Sequence, residues 1–468
     1  MEGPVSAKQL WIDYALSMED TVGRGNGLSE ATLAAEQGSF AAGLTRLMAE
    51  IDASKLGFYD LPDDTAQVSA CDRLIEKLGE GMDDVLVLGI GGSSLGARAV
   101  VHALSSPLAT SGLGTGRRIH FPDNSDPWLF DALLQTLDPN KTLALVISKS
   151  GGTVETAAQM LCVNQWFEQK LGPAVLPRHL VAITDPDKGS LRAFAHERGL
   201  ATLAIPSNVG GRFCVLTPAG LLPARLAGVD ALAMLRGAKA MADRCREPDL
   251  LKNPAGLLAA THVLHERLLG HRIQVLMPYA DALRPLSAWF VQLWAESLGK
   301  RVDRRGRVVE SGPTPLAGVG ATDQHAQVQL FIEGPRDKLV TFIAVDELDK
   351  DTEIPKSDGE LSYLGGHSLG ELLTAERRGT ELALARNGRP SMTLHIPKLD
   401  AEQLGALFFL FEAATAYAGE LYDIDAFDQP GVEEGKRLAF GLLGRKGYEA
   451  HLKAVQDLES QKPARYRV

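Results

Sequence analysis

Cysteine, positive charge and long apolar runs are all scarce in this 468-residue chain. The four cysteines, Cys71, Cys162, Cys214 and Cys245, lie far apart, with neither metal-ligand spacing nor the density of a disulfide scaffold. No metal site is expected from them. With 48 basic residues against 59 acidic ones the net charge is −11, which argues against a nucleic-acid surface. One basic cluster, Lys300, Arg301, Arg304, Arg305 and Arg307, reads as a solvated loop. An anionic small substrate stays possible, because local groups and not net charge decide its binding. No stretch approaches the ~18 consecutive apolar residues of a membrane span. The first residues, Met-Glu-Gly-Pro-Val-Ser-Ala-Lys, lack the basic start and apolar run of a signal peptide, so a cytoplasmic setting without membrane contact is expected.

What is present is a soluble globular composition, 45% hydrophobic and 23% charged, in a chain long enough for several domains. Short apolar runs at 85–90, 119–121, 142–147, 180–184 and 202–205 alternate with helical patterns of ten or more residues. That rhythm predicts a parallel sheet covered on both faces. It resumes at 273–277, 340–345 and 392–396, with helices over 286–298, 367–386 and 401–419. The expected organisation is a helical arm over 1–60, α/β domains over 61–235 and 236–440, and a terminal helix with a tail over 441–468. Ligands of such sheets bind beyond the carboxyl ends of the strands.

Two turns lie at that edge. Thr142–Ile147 runs into Ser-Lys-Ser-Gly-Gly-Thr-Val-Glu-Thr and then a helix. Unpaired N–H groups, the positive end of the helix dipole and several hydroxyls then converge, as a phosphate requires. The plainer reading is a helix N-cap by Ser150 or Thr153. The other turn, Gly-Ile-Gly-Gly-Ser-Ser-Leu-Gly at 89–96, fits a dinucleotide fingerprint poorly, because Ser94 stands where the third glycine belongs. Ser93 reads instead as one more hydroxyl facing the same anion or sugar.

Three further stretches carry chemistry. In Asn208-Val-Gly-Gly-Arg-Phe-Cys, two glycines admit a ligand to the backbone beside Arg212, which suits charge developing on an oxygen. The helix from Ser287 to Gly299 is apolar except for Gln292 and Glu296, four apart on one face. Burial among Trp289, Phe290, Leu293 and Trp294 would raise the Glu296 pKa towards the range of a general base, whereas a Glu296–Lys300 pair is the plainer alternative. His325, in Thr-Asp-Gln-His, could transfer protons near neutrality. Lys436 follows Phe-Asp-Gln-Pro-Gly-Val-Glu-Glu-Gly, one turn inside a helix, facing a ligand or solvent.

Taken together, Gly-Gly-Arg-Phe with Thr-Pro-Ala-Gly, Phe-Asp-Gln-Pro-Gly-Val-Glu with Gly-Lys, Ser-Lys-Ser-Gly-Gly-Thr-Val-Glu-Thr and Thr-Asp-Pro-Asp-Lys-Gly-Ser resemble the glucose-6-phosphate isomerase family, in order over about 85–440. The resemblance implies an α/β fold of two tandem sugar-isomerase (SIS-type) domains, a homodimer, and no metal or organic cofactor. It implies an aldose–ketose isomerase that interconverts D-glucose 6-phosphate and D-fructose 6-phosphate. On the matching positions it assigns Ser148, the Lys149 backbone, Ser150 and Thr153 to the phosphate. Ser93, Gly211, Gln292 and Gln429 fall around the sugar. Glu296 matches the base, Arg212 the group stabilising the enediolate, and His325 and Lys436 the residues assisting ring opening, with His325 from the partner chain. Two departures are Cys214, where the family usually has serine, and Ala326. Rival readings are a related isomerase that also takes mannose 6-phosphate, and a phosphosugar sensor, which would not need Glu296, Arg212 and His325 together.

Overall fold

A computed structural model describes residues 9–106 and 116–466. Its strands, in chain order, are β1 (Trp11–Asp13), β2 (Asp84–Leu88), β3 (Arg118–His120), β4 (Thr142–Ile147), β5 (Leu180–Thr184) and β6 (Ala201–Ala204), followed by β7 (Ile273–Pro278), β8 (Lys300–Val302), β9 (Val308–Ser311), β10 (Thr314–Ala317), β11 (Lys338–Glu347) and β12 (Ser391–Lys398).

The first sheet has the order β3-β2-β4-β5-β6 and every pairing is parallel. Every residue of β2, β4 and β5 is buried, as the uninterrupted apolar runs require when helices cover both faces. Because β2 and β4 are neighbours, with Leu88 opposite Val146, the turns that follow them lie side by side.

The second sheet has the order β1-β12-β11-β7-β10, parallel except for β1. Two of its strands correct the sequence reading. β1 lies in the arm expected to be helical; it pairs with β12, and Trp11 stacks on His395 with ring centroids 4.1 Å apart. β10, Thr-Pro-Leu-Ala, is short and carries a proline, which a ladder tolerates at a sheet edge. The basic cluster is also not a solvated loop throughout. Lys300 is buried in the β8–β9 hairpin, and Arg304 with Arg46 closes on the buried Glu420 carboxylate.

Through the main core runs the helix Ala401–Tyr422, buried from Leu404 to Leu421. It is long and apolar enough to cross a membrane, but its burial inside the protein marks it as a core helix. It packs on the helices Ala231–Arg244 and Pro254–Leu269. Phe408 meets Trp289 edge-on at 4.6 Å, and Phe411 meets Phe290 at 5.0 Å. Each such ring, fully buried, contributes about 1.5–3 kcal/mol. These contacts fix the helix Arg284–Leu298, which carries Gln292 and Glu296, against the common core.

Candidate active site

Arg212 sits in a short 3-10 turn, Gly211–Phe213, with its side chain 6% exposed. Its guanidinium donates from Nε to Ser297 Oγ (3.0 Å), from Nη1 to Gln429 Oε1 (2.9 Å), and from Nη2 to the carbonyls of Ala426 (3.0 Å) and Asp428 (3.3 Å). Nη1 also lies 3.2 Å from Glu296 Oε1. Burial pushes the Arg212 pKa down, while Glu296, Asp428 and Asp425 act against it. A guanidinium nevertheless stays protonated.

Glu296 is not desolvated in the way its apolar neighbours suggest. Its side chain is 23% exposed, with one oxygen on Arg212 and the other accepting from Gln292 Nε2 at 3.0 Å. The alternative ion pair with Lys300 is absent too. Lys300 Nζ donates to the carbonyls of Glu296 (3.0 Å), Ser297 (2.9 Å) and Asp428 (2.8 Å). Trp294 and its neighbours face the core, and the i, i+4 spacing sends Gln292 and Glu296 the other way.

The glycine turn after β2 closes this cluster from the first sheet. A Cβ on Gly91 would meet Gln292 Nε2 at 2.7 Å, and one on Gly92 would lie 2.0 Å from the Gly211 carbonyl oxygen. The Cys214 thiol, pushed up to about 12 by burial, stays protonated and donates to the carbonyls of Gly211 (3.0 Å) and Gly92 (3.4 Å). The cysteine therefore joins the two glycine turns. Ser93 is half-buried on the same turn.

Beside it, the loop after β4 is built from hydroxyls. Thr153 occupies the N-cap position of the helix Val154–Leu171, yet its side chain accepts no helix N–H. It lies instead 3.2 Å from Ser148 Oγ and 3.5 Å from Ser150 Oγ. An ordinary cap does not describe this arrangement. Gly151 takes φ +68°, and a Cβ there would lie 2.8 Å from the Leu191 nitrogen. The Lys149 amine turns away to the carbonyls of Ser207 (2.9 Å) and Val209 (2.6 Å), tying the loop to the segment that bears Arg212.

Two predicted residues do not join this cluster within one chain. His325 is exposed on the helix Thr322–Glu333. Lys436 is exposed on the helix Glu433–Leu442 and paired with Glu433 at 2.8 Å. Neither is hydrogen-bonded or ion-paired to Arg212 or Glu296.

The phosphoglucose isomerase family profile matches residues 65–364 and 374–456. A glucose-6-phosphate isomerase of Carboxydothermus hydrogenoformans is 43% identical over 442 residues, covering 93% of this chain and 95% of the relative. One from Thermus thermophilus is 43% identical over 387 residues, 82% of this chain and 89% of the relative. The chain belongs to the phosphoglucose isomerase family. Among solved structures, a hypothetical protein of Thermus thermophilus superposes with a TM-score of 0.83 at 39% identity, covering 93% of this chain and all of the other. A glucose-6-phosphate isomerase of Chlamydia trachomatis gives 0.72 at 26% identity, covering 83% of this chain and 76% of the other.

Sequence reasoning missed several supports around the cluster. Lys300 and Ser297 fasten the carboxyl end of the Glu296 helix to Arg212 and to the 426–429 loop. The only signal for Lys300 was a lysine just past a helix end, where carbonyls lack partners. Asp185 accepts from the backbone N–H of Asp187 (3.0 Å), which holds its carboxyl below the usual range, and from Ser207 Oγ (2.9 Å). Phe58 of the N-terminal arm packs on Phe213, centroids 4.9 Å apart. These contacts brace the Arg212 turn from behind.

Proposed function

We propose that this chain interconverts D-glucose 6-phosphate and D-fructose 6-phosphate through a cis-enediolate, as its relatives' names suggest, serving glycolysis and gluconeogenesis in the cytoplasm. The observation that carries the reading is the 3.2 Å pairing of Glu296 with an Arg212 whose guanidinium is fixed by four further hydrogen bonds. The substrate phosphate lies among Ser148, Lys149 N–H, Ser150 and Thr153, and the sugar beside Ser93, Gly211, Gln292 and Gln429.

Glu296 removes the proton from C2 and returns it to C1. The carboxylate is oriented through both oxygens, so little motion separates the resting and reacting geometries. When it takes the proton it no longer neutralises Arg212, and that positive charge becomes available to the enediolate. Because the guanidinium is already held, its stabilisation of the new anion costs little reorganisation. The phosphate contacts anchor the far end of the sugar, so that their binding energy orients C1 and C2. His325 of a second copy, with Lys436, assists ring opening.

Glu296→Gln is expected to keep sugar-phosphate binding and lose ~10²–10⁴-fold in kcat. Near-normal turnover of the variant would remove the assignment. Mixing inactive Glu296→Gln chains with inactive His325→Ala chains should restore part of the activity as subunits exchange. Heterodimers with no activity would rule out a site shared between two copies.

A further inference from the structure

A second buried cation stands beside the Arg212–Glu296 cluster. Lys300, 7% exposed, lies just past the end of the helix Arg284–Leu298. Its Nζ donates to three carbonyls on two segments: Glu296 (3.0 Å) and Ser297 (2.9 Å) in the last turn of that helix, and Asp428 (2.8 Å) in the loop after the central helix. The last turn of a helix leaves its carbonyls without partners inside the helix, and the ammonium supplies them. An ammonium has three N–H groups, so all three are used. The exposed Asp428 carboxylate lies 3.5 Å away.

Arg212 binds the same two residues. Its Nε donates to Ser297 Oγ and its Nη2 to the Asp428 carbonyl, while Nη1 takes Gln429 Oε1. Phe427, in the same loop, packs on Phe213 and Phe58 with centroids 5.2 and 6.0 Å apart. Two like charges are thus brought together under burial. Burial pushes the Lys300 pKa down, Asp428 opposes this, and Arg212 adds to the depression. Loss of the proton would leave two N–H groups and a lone pair to face three carbonyls, so the arrangement requires the charged form.

We propose that Lys300 is a positioning residue for the isomerisation: one ammonium fixes the carboxyl end of the Glu296 helix against the loop that carries Gln429, and so sets the separation of the carboxylate from the guanidinium. Lys300 acts through Glu296 and Arg212 and not on the reacting atoms. The effect falls on kcat, because misplacing a catalytic group by about 1 Å costs up to ~10²-fold. Ground-state binding rests on the hydroxyl loop after β4, to which Lys300 makes no hydrogen bond. This role rests on the isomerisation proposed above.

The test compares Lys300→Met and Lys300→Gln with the parent as full chains. Tm is measured for each, and rates are taken well below it per folded chain, so that lost stability does not register as lost rate. The expected result is a fall in kcat of ~10–10²-fold with KM changed by less than about twofold. Affinity for a five-carbon hydroxamate phosphate, planar and anionic like the enediolate, should fall in step with kcat, while that for a hexitol 6-phosphate stays put. Lys300→Gln decides the matter where Lys300→Met does not fold. Its amide, one bond shorter, still donates to the helix carbonyls but releases that of Asp428. Unchanged kcat, or a loss confined to KM and to the hexitol phosphate, would overturn the proposal. Glu296→Gln, run alongside, separates the two readings. If it is inactive while the Lys300 variants turn over normally, the positioning role alone fails; if it turns over normally, the base assignment fails and this role with it.

Discussion

The two sheets carry their functional groups in different ways. The first presents backbone turns: β2 and β4 end side by side, and glycines and hydroxyls within a few residues of each strand form the proposed phosphate loop. The second presents a side chain on a helix, and Glu296 acquires its surroundings from distant places. Arg212 comes from the first half, and Gln429 and the Asp428 carbonyl from the loop after the central helix. A phosphate needs many local N–H and hydroxyl donors, which one turn supplies. A carboxylate opposite a guanidinium needs two charged groups that no single turn can bring together.

The largest effect that separates the two regions is expected at their junction. Arg212→Lys keeps a positive charge but cannot reproduce four hydrogen bonds from a planar fork. It should lower kcat by about 10²-fold or more, as loss of a fixed donor to a developing oxyanion does, with little change in KM. A variant with unchanged kcat would reduce Arg212 to a structural tie.

Acid should distinguish the two regions by stability. The second half buries His262, His265 and His271, and burial lowers their pKa values from 6.5 to about 4, 3 and 4. His265 Nε2 faces the Ser17 carbonyl at 3.1 Å, and its Nδ1 lies 2.9 Å from His271 Nδ1. These groups stay neutral when folded and bind protons once unfolded. Their stabilisation is therefore whole above about pH 6.5 and is lost as pH falls towards 4, by roughly 3 kcal/mol for His262 alone. In the first half Asp84 accepts from Arg118 and His120; although burial opposes ionisation, these partners hold its pKa below the ordinary 3.8. Its contribution is lost only below about pH 4. Hydrogen exchange at pH 5 should accordingly show Pro254–Leu269 and β7 losing protection before β2 and β4. Simultaneous loss in both would contradict the assignment of the acid sensitivity to the histidines.

The smallest effect belongs to the hydroxyl loop, where several donors share one anion. Ser148→Ala with Thr153→Ala should raise KM for the phosphorylated sugar about 30-fold, two lost hydrogen bonds at ~1 kcal/mol each, and leave an unphosphorylated analogue unaffected. Equal changes for both sugars would reject the loop as the phosphate site.

The sequence by itself determined the parts that depend on neighbours in the chain. The apolar runs of β4 and β5 fell where the strands are, and the Ser/Gly turn, the glycines before Arg212 and the Gln292–Glu296 spacing were all legible. Short strands escaped notice, β1 because three residues carry no period and β10 because a proline interrupts it. Tertiary structure alone decided that Glu296 is paired and partly open rather than desolvated, since a helix's own pattern cannot announce a guanidinium 84 positions away. It likewise turned Lys300 from a solvated charge into a clamp. Local order follows from hydrophobic period and backbone freedom. The state of a charge follows from what the fold brings within a few ångströms of it, because Coulomb and desolvation energies depend on distance through space and not along the chain.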